Sequence, residues 1–160
     1  DRSVMPGFRG HLIGGTVTYL AILQYIKFMQ PSVPVIVSGF VFCIIGSLFP
    51  DIDIKSKGQK LFYSLALVVL CCFLYYERTD LFIGLSLLAI VPLLVKHRGL
   101  FHQLWFLIFV SITTGLVIGS FHSDFSVWAM KNALFFLAGA ISHIVLDKVV
   151  TRLKYMFIRK

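Results

Sequence analysis

The sequence predicts an all-α, polytopic membrane bundle of about six transmembrane helices, forming a single domain over residues 1–160. Three observations predict it. Hydrophobic residues make up 58% of the chain and charged ones only 14%, with a mean hydropathy of +0.89. A soluble domain of this length has too little interior to hide that much apolar surface, so the lipid bilayer must be its solvent. The apolar residues fall into six runs parted by Pro, Gly and charged residues. The net charge of +8 is carried by short connections between those runs. In a soluble protein such a charge would point to nucleic acid. Here the cations show no aromatic interleaving on a soluble face, and no nucleic-acid partner is expected.

Taken in order, the first run covers about residues 11–28 and is closed by Gln30-Pro31. It lacks a small-residue cleavage site and reads as a span rather than a signal segment. The second run, 33–49, stops at Pro50. Runs at 61–76 and 81–95 fall below the ~20 residues of an ordinary span. They are expected to stand steeply or to end in a thinned boundary. Runs at 100–121 and 127 to about 145 complete the set. Gly39, Gly46, Gly84, Gly115, Gly119 and Gly139 are placed for close helix contacts, the usual small-residue packing of membrane helices. Cys43, Cys71 and Cys72 lie inside apolar runs without metal-type spacing and are expected to be buried packing residues. No internal repeat, linker or low-complexity segment interrupts the chain.

Orientation follows from the distribution of cations, which concentrate on cytoplasmic loops. With six spans, one side receives Arg2, Arg9, Lys55, Lys57, Lys60, Lys96, Arg98, Lys148, Arg152, Lys154, Arg159 and Lys160. The other receives Lys27, Arg78 and Lys131. Twelve against three predicts both termini in the cytoplasm, and an odd span count would scatter the cations over both faces.

That topology gathers the polar residues. Leu48-Phe49-Pro50-Asp51-Ile52-Asp53 sets two carboxylates one residue apart after an apolar run. Acids at a membrane boundary are costly to place unless something neutralises them. His11 opens the first span, His97 and His102 flank the start of the fifth, and His143 and Asp147 lie four apart near the end of the sixth. An i,i+4 pair shares a helical face. His97 and His102, five apart, converge only if Gly99 turns the loop. The Asp pair alone could cap the next segment or pair with Lys55 and Lys57, and a lone His is commonly a packing residue. Their coincidence at one depth favours a metal site: His11, Asp51, Asp53, His97, His102, His143 and Asp147.

Phe49-Pro50-Asp51-Ile52-Asp53, His97-Arg98-Gly99-x-x-His102 and Ser142-His143-x-x-x-Asp147, with His11 before Gly14-Gly15, resemble the YdjM-like family. Those bacterial and archaeal inner-membrane proteins are described as metal-dependent hydrolases, and the pattern is distantly similar to zinc-dependent phospholipase C. The resemblance covers nearly the whole chain with four motifs in order. It implies an inner-membrane protein holding a metal cluster on His and Asp. The family usually places Thr before and Ser after the second His of the loop motif, where this chain has Phe101 and Gln103.

Seven nitrogen and oxygen donors without Cys suit Zn2+, or Mn2+ and Mg2+ where carboxylates dominate. Seven exceeds what one tetrahedral ion needs. Either two ions are bridged by Asp51 or Asp53, or one ion is held with supporting partners. A carboxylate not consumed in binding, Asp53 or Asp147, would act as general base. Arg98 would hold a phosphate bidentately. The expected function is a membrane-embedded, metal-dependent, phospholipase-like hydrolase of a phosphoester, acting on a phospholipid or other lipid phosphate at the cytoplasmic face. The alternative is a metal-binding membrane protein serving ion transport or a non-catalytic interaction role.

Overall fold

A computed structural model describes residues 7–94, 99–121 and 123–158. Six α-helices follow one another: α1 (Phe8–Ile26), α2 (Val33–Leu48), α3 (Lys57–Tyr75), α4 (Thr79–Leu94), α5 (Leu104–Phe121) and α6 (Ser123–Ile158). Short 3-10 turns at Lys27–Met29, Phe49–Asp51 and Leu100–His102 join or precede them. Among the described residues there is no strand.

The breaks are where proline chemistry requires them. Gln30 takes a left-handed conformation (φ 44°) ahead of Pro31, and Pro34 sits in the first turn of α2, where its missing N–H costs nothing. Pro50 stops α2 and is buried in the turn that carries Asp51. The loop after that turn is pinned by its own side chains. Ser56 Oγ accepts from the Gln59 N–H at 2.9 Å and donates to the Asp51 carbonyl at 3.0 Å, while Gln59 Nε2 donates to the Ile52 carbonyl at 3.0 Å. Capping α3 is therefore the work of Ser56, not of the Asp pair. Ser56→Ala is expected to cost about 1 kcal/mol. It should lower the thermal midpoint in detergent by roughly 2–4 °C and speed hydrogen exchange over residues 57–60.

Four segments are long and apolar enough to cross a membrane: Phe8–Met29, Val33–Asp51, Lys57–Tyr75 and Ser126–Leu153. Thr79–Leu94 and Leu104–Val117 are shorter apolar stretches. Leu20, Leu67, Leu87 and Leu116 are all more than half exposed. Such a surface is stable only against lipid. The largest departure from the sequence reading is α6, which does not end near 145. Its 36 residues span about 54 Å. The backbone continues as helix where the apolar pattern gives way to Lys148 and Arg152, because nothing there breaks it.

Helix α6 is the axis of the bundle. It packs on α2, α5 and α1, whereas α3 and α4 form a hairpin packed mainly on each other. Two glycines set the closest crossing. A Cβ at Gly46 would run into the Phe136 carbonyl, and one at Gly139 into the Cys43 carbonyl, so α2 and α6 meet backbone to backbone. Gly39 lies against the Phe135 ring and Gly115 against Ala133, but Gly84 faces open space and makes no such contact. Side-chain hydrogen bonds fasten the bundle where no water can compete. Tyr19 donates to the Ile36 carbonyl at 2.6 Å, Cys43 to the Gly15 carbonyl at 3.4 Å, and Ser111 to the Ala133 carbonyl. Cys43 is buried as expected. Cys71 and Cys72 are not: they are exposed on the outer surface of the α3–α4 hairpin.

Candidate metal centre

Antiparallel threading brings the start of α1, the turn after α2, the turn before α5 and the second half of α6 to one end of the bundle. Five of the seven expected donors converge there. His11 Nε2 lies 3.9 Å from Asp51 Oδ2 and 3.5 Å from Asp147 Oδ1. His102 Nε2 lies 4.0 Å from Asp51 Oδ1 and 3.9 Å from Asp147 Oδ2. His143 Nε2 lies 3.5 Å from Asp51 Oδ1 and 3.8 Å from Asp147 Oδ2.

The uniformity of these separations bears on what the cluster could hold. A His–Asp hydrogen-bond network closes to roughly 2.7–2.9 Å. Six contacts between 3.5 and 4.0 Å are too long for that. They are near the edge length, about 3.4 Å, of a tetrahedron of donors each ~2.1 Å from a shared ion. Burial sharpens the point. His143 is fully buried and His11 nearly so, at 2% exposure. His143 Nε2 and Asp147 Oδ1 are buried without a hydrogen-bond partner among the described residues. Buried polar atoms left in that state are expensive, and a divalent cation between them would satisfy both. The residues present fit such an ion.

One tautomer is fixed. His143 Nδ1 lies 2.8 Å from the Ser47 carbonyl, and a carbonyl only accepts, so Nδ1 carries the proton and Nε2 turns its lone pair to the centre. The rings of His11 and His143 stack at 3.6 Å with planes 12° apart, and His102 meets His143 edge-on at 5.5 Å. Burial, then the neighbouring His143, lowers the pKa of His102 below the usual imidazole value. It is thus neutral at physiological pH, the form that ligates.

Two donor groups can be drawn, His11–Asp51–His143 and His102–His143–Asp147. They share His143, and one imidazole nitrogen has one lone pair. The two groups therefore adjoin in one cluster, and His143 Nε2 could ligate only one ion of it. Asp53 belongs to neither group, although its charge acts on His102. Ile52, between the two Asp residues, is 2% exposed, and both Asp53 carboxylate oxygens are buried as well. His97 and Arg98 lie outside the described residues. Phe101 is buried, edge-on to Phe49 at 5.6 Å and to Phe106 at 5.2 Å, so this chain has an aromatic packing residue where the hydroxyl was expected. Sequence reasoning missed Ser47. Its contribution is a backbone carbonyl, which has no residue signature, and only the neighbouring Gly46 hinted at a close approach.

A family model described as YdjM inner membrane protein matches residues 5–152, a stretch holding every donor named above. No curated protein and no solved structure matches the chain. With nearly the whole sequence covered, the chain belongs to the YdjM inner membrane protein family.

Proposed function

We propose that this protein is a membrane-embedded, metal-dependent hydrolase of phosphoesters, working at the cytoplasmic leaflet with both termini in the cytoplasm. The observation that carries the reading is the set of six His–Asp separations between 3.5 and 4.0 Å around one point. Three imidazoles with two carboxylates favour Zn2+ over Mg2+, which prefers an all-oxygen shell. When bound, such an ion acidifies water and stabilises charge on a phosphoryl oxygen.

The chain's own residues supply the rest. His11, His102, His143, Asp51 and Asp147 hold the centre, and the Ser47 carbonyl orients His143. Asp53, beside the cluster but outside both donor groups, is the general base. It takes the proton of the attacking water as the water oxygen bonds to phosphorus and the P–O bond to the leaving group breaks, and returns that proton to the departing alkoxide. The twelve-to-three division of cations supports the orientation. A site at headgroup depth favours a lipid phosphate.

The test is zinc content and phosphate release from phosphatidic acid in mixed micelles, for wild type and Asp53→Asn. The variant should keep its zinc and lose roughly 100-fold or more in kcat. Full turnover in Asp53→Asn would reject it as the base, and a metal-replete wild type without bound zinc would reject the reading altogether.

A further inference from the structure

One cavity of about 450 Å³ lies at the end opposite the donors, between Ile22, Met29, Val35 and Phe135. A second of about 350 Å³ includes two of the donors, His102 and Asp147, in its wall. The remainder of that wall is a single face of α6: Ile144, Lys148, Thr151 and Arg152. Spacings of three and four residues stack these side chains one above another. The continuation of α6 past the expected end is what presents them.

We propose, building on the hydrolase reading above, that Lys148, Thr151 and Arg152 form the subsite that receives the phosphoryl anion of the substrate. Lys148 and Arg152 form no ion pair among the described residues. Both are exposed along a groove that leads to Asp147 and His102. The Arg152 guanidinium offers a planar fork that matches two phosphoryl oxygens, Lys148 a point charge, and the Thr151 hydroxyl a further donor. The carboxylates of Asp51 and Asp147 would repel an anion, but a divalent cation bound among them offsets their charge. The two cations then draw the anion toward the centre. Ile144 is the apolar member of the wall, one turn below Lys148, where the first carbons of a lipid would lie.

Cations at a cytoplasmic boundary also serve topology alone, so the test is made on purified protein in neutral-detergent micelles, where topology has no influence. Inorganic phosphate is titrated calorimetrically into wild type and into Lys148→Gln/Arg152→Gln, each with and without zinc. The double variant should weaken phosphate binding at least about tenfold, or about 1.4 kcal/mol, at unchanged zinc stoichiometry. Arg152→Lys, which keeps the charge and loses the fork, should fall between the two and serves if the double variant does not fold. Equal phosphate affinity in wild type and variants overturns the subsite. Failure of wild type to take up zinc instead rejects the metal reading, while the zinc-free titrations still decide the subsite. Competition by phosphatidic acid but not by glycerol 3-phosphate identifies a lipid headgroup as the source of the anion. The reverse identifies a water-soluble phosphoester, and either result supports the subsite.

Discussion

Asp51→Ala is expected to abolish metal retention. Asp51 approaches all three imidazoles, at 3.5 Å from His143, 3.9 Å from His11 and 4.0 Å from His102. Its removal takes a charged donor from each. Removing a partner one step behind a ligand typically costs 10–100-fold in affinity, so loss of the ligand itself should exceed about 100-fold. Chelator-competition titration of purified protein reads this directly, with Asp53→Asn beside it as a carboxylate outside both donor groups. That control should stay within about tenfold of wild type. Because Asp51 sits in a 3-10 turn whose shape is held by Pro50, Ser56 and Gln59, the Ala variant should keep its elution volume and helical signal. Zinc binding by Asp51→Ala at wild-type strength would mean that Asp51 is not a ligand.

Much of this arrangement was legible because lipid leaves few options for polar groups. Carboxylates and imidazoles must meet partners at membrane depth. Six runs in alternating direction therefore carried His11, Asp51, His102, His143 and Asp147 to one end before any distance was known. The run boundaries at Pro31 and Pro50 were equally readable, since proline cannot continue a helix ladder.

What was not legible has equally physical causes. In lipid, outward faces are as apolar as inward ones, so periodicity does not say which side of a helix packs. The same lack of contrast made Cys71 and Cys72 look like core residues and Gly84 look like a contact glycine. The true end of α6 was hidden because hydropathy tracks the membrane and not the helix. Lys148, Val149, Val150, Thr151 and Arg152 leave the apolar pattern without any Gly or Pro to stop the backbone. Asp53 was grouped with Asp51 by spacing, depth and motif; its carboxylate is buried and acts on His102, but it stands outside both donor groups.

The second large effect concerns geometry rather than chemistry. Gly139→Val should both destabilise the bundle and weaken the metal centre, whose His143 lies one turn further along α6. Gly139 lies against the Cys43 carbonyl and the Ser47 amide of α2, backbone that cannot move aside as a side chain end can. Overpacking ordinarily costs 1–3 kcal/mol, and a clash with rigid backbone belongs at the top of that range or above it. About 3 kcal/mol corresponds to a fall of roughly 6–12 °C in the unfolding midpoint for a chain of this size. Gly139 is one turn before His143, and the same crossing brings the Ser47 carbonyl to His143 Nδ1. Pushing α2 away breaks that bond, frees the imidazole to rotate or change tautomer, and should lower zinc affinity roughly 10–100-fold. Gly84→Val, into open space, should shift neither readout by more than about 0.5 kcal/mol. A Gly139→Val protein that melts normally yet binds zinc weakly would uncouple the two effects. Normal behaviour in both would show that the α2–α6 crossing is looser than backbone contact.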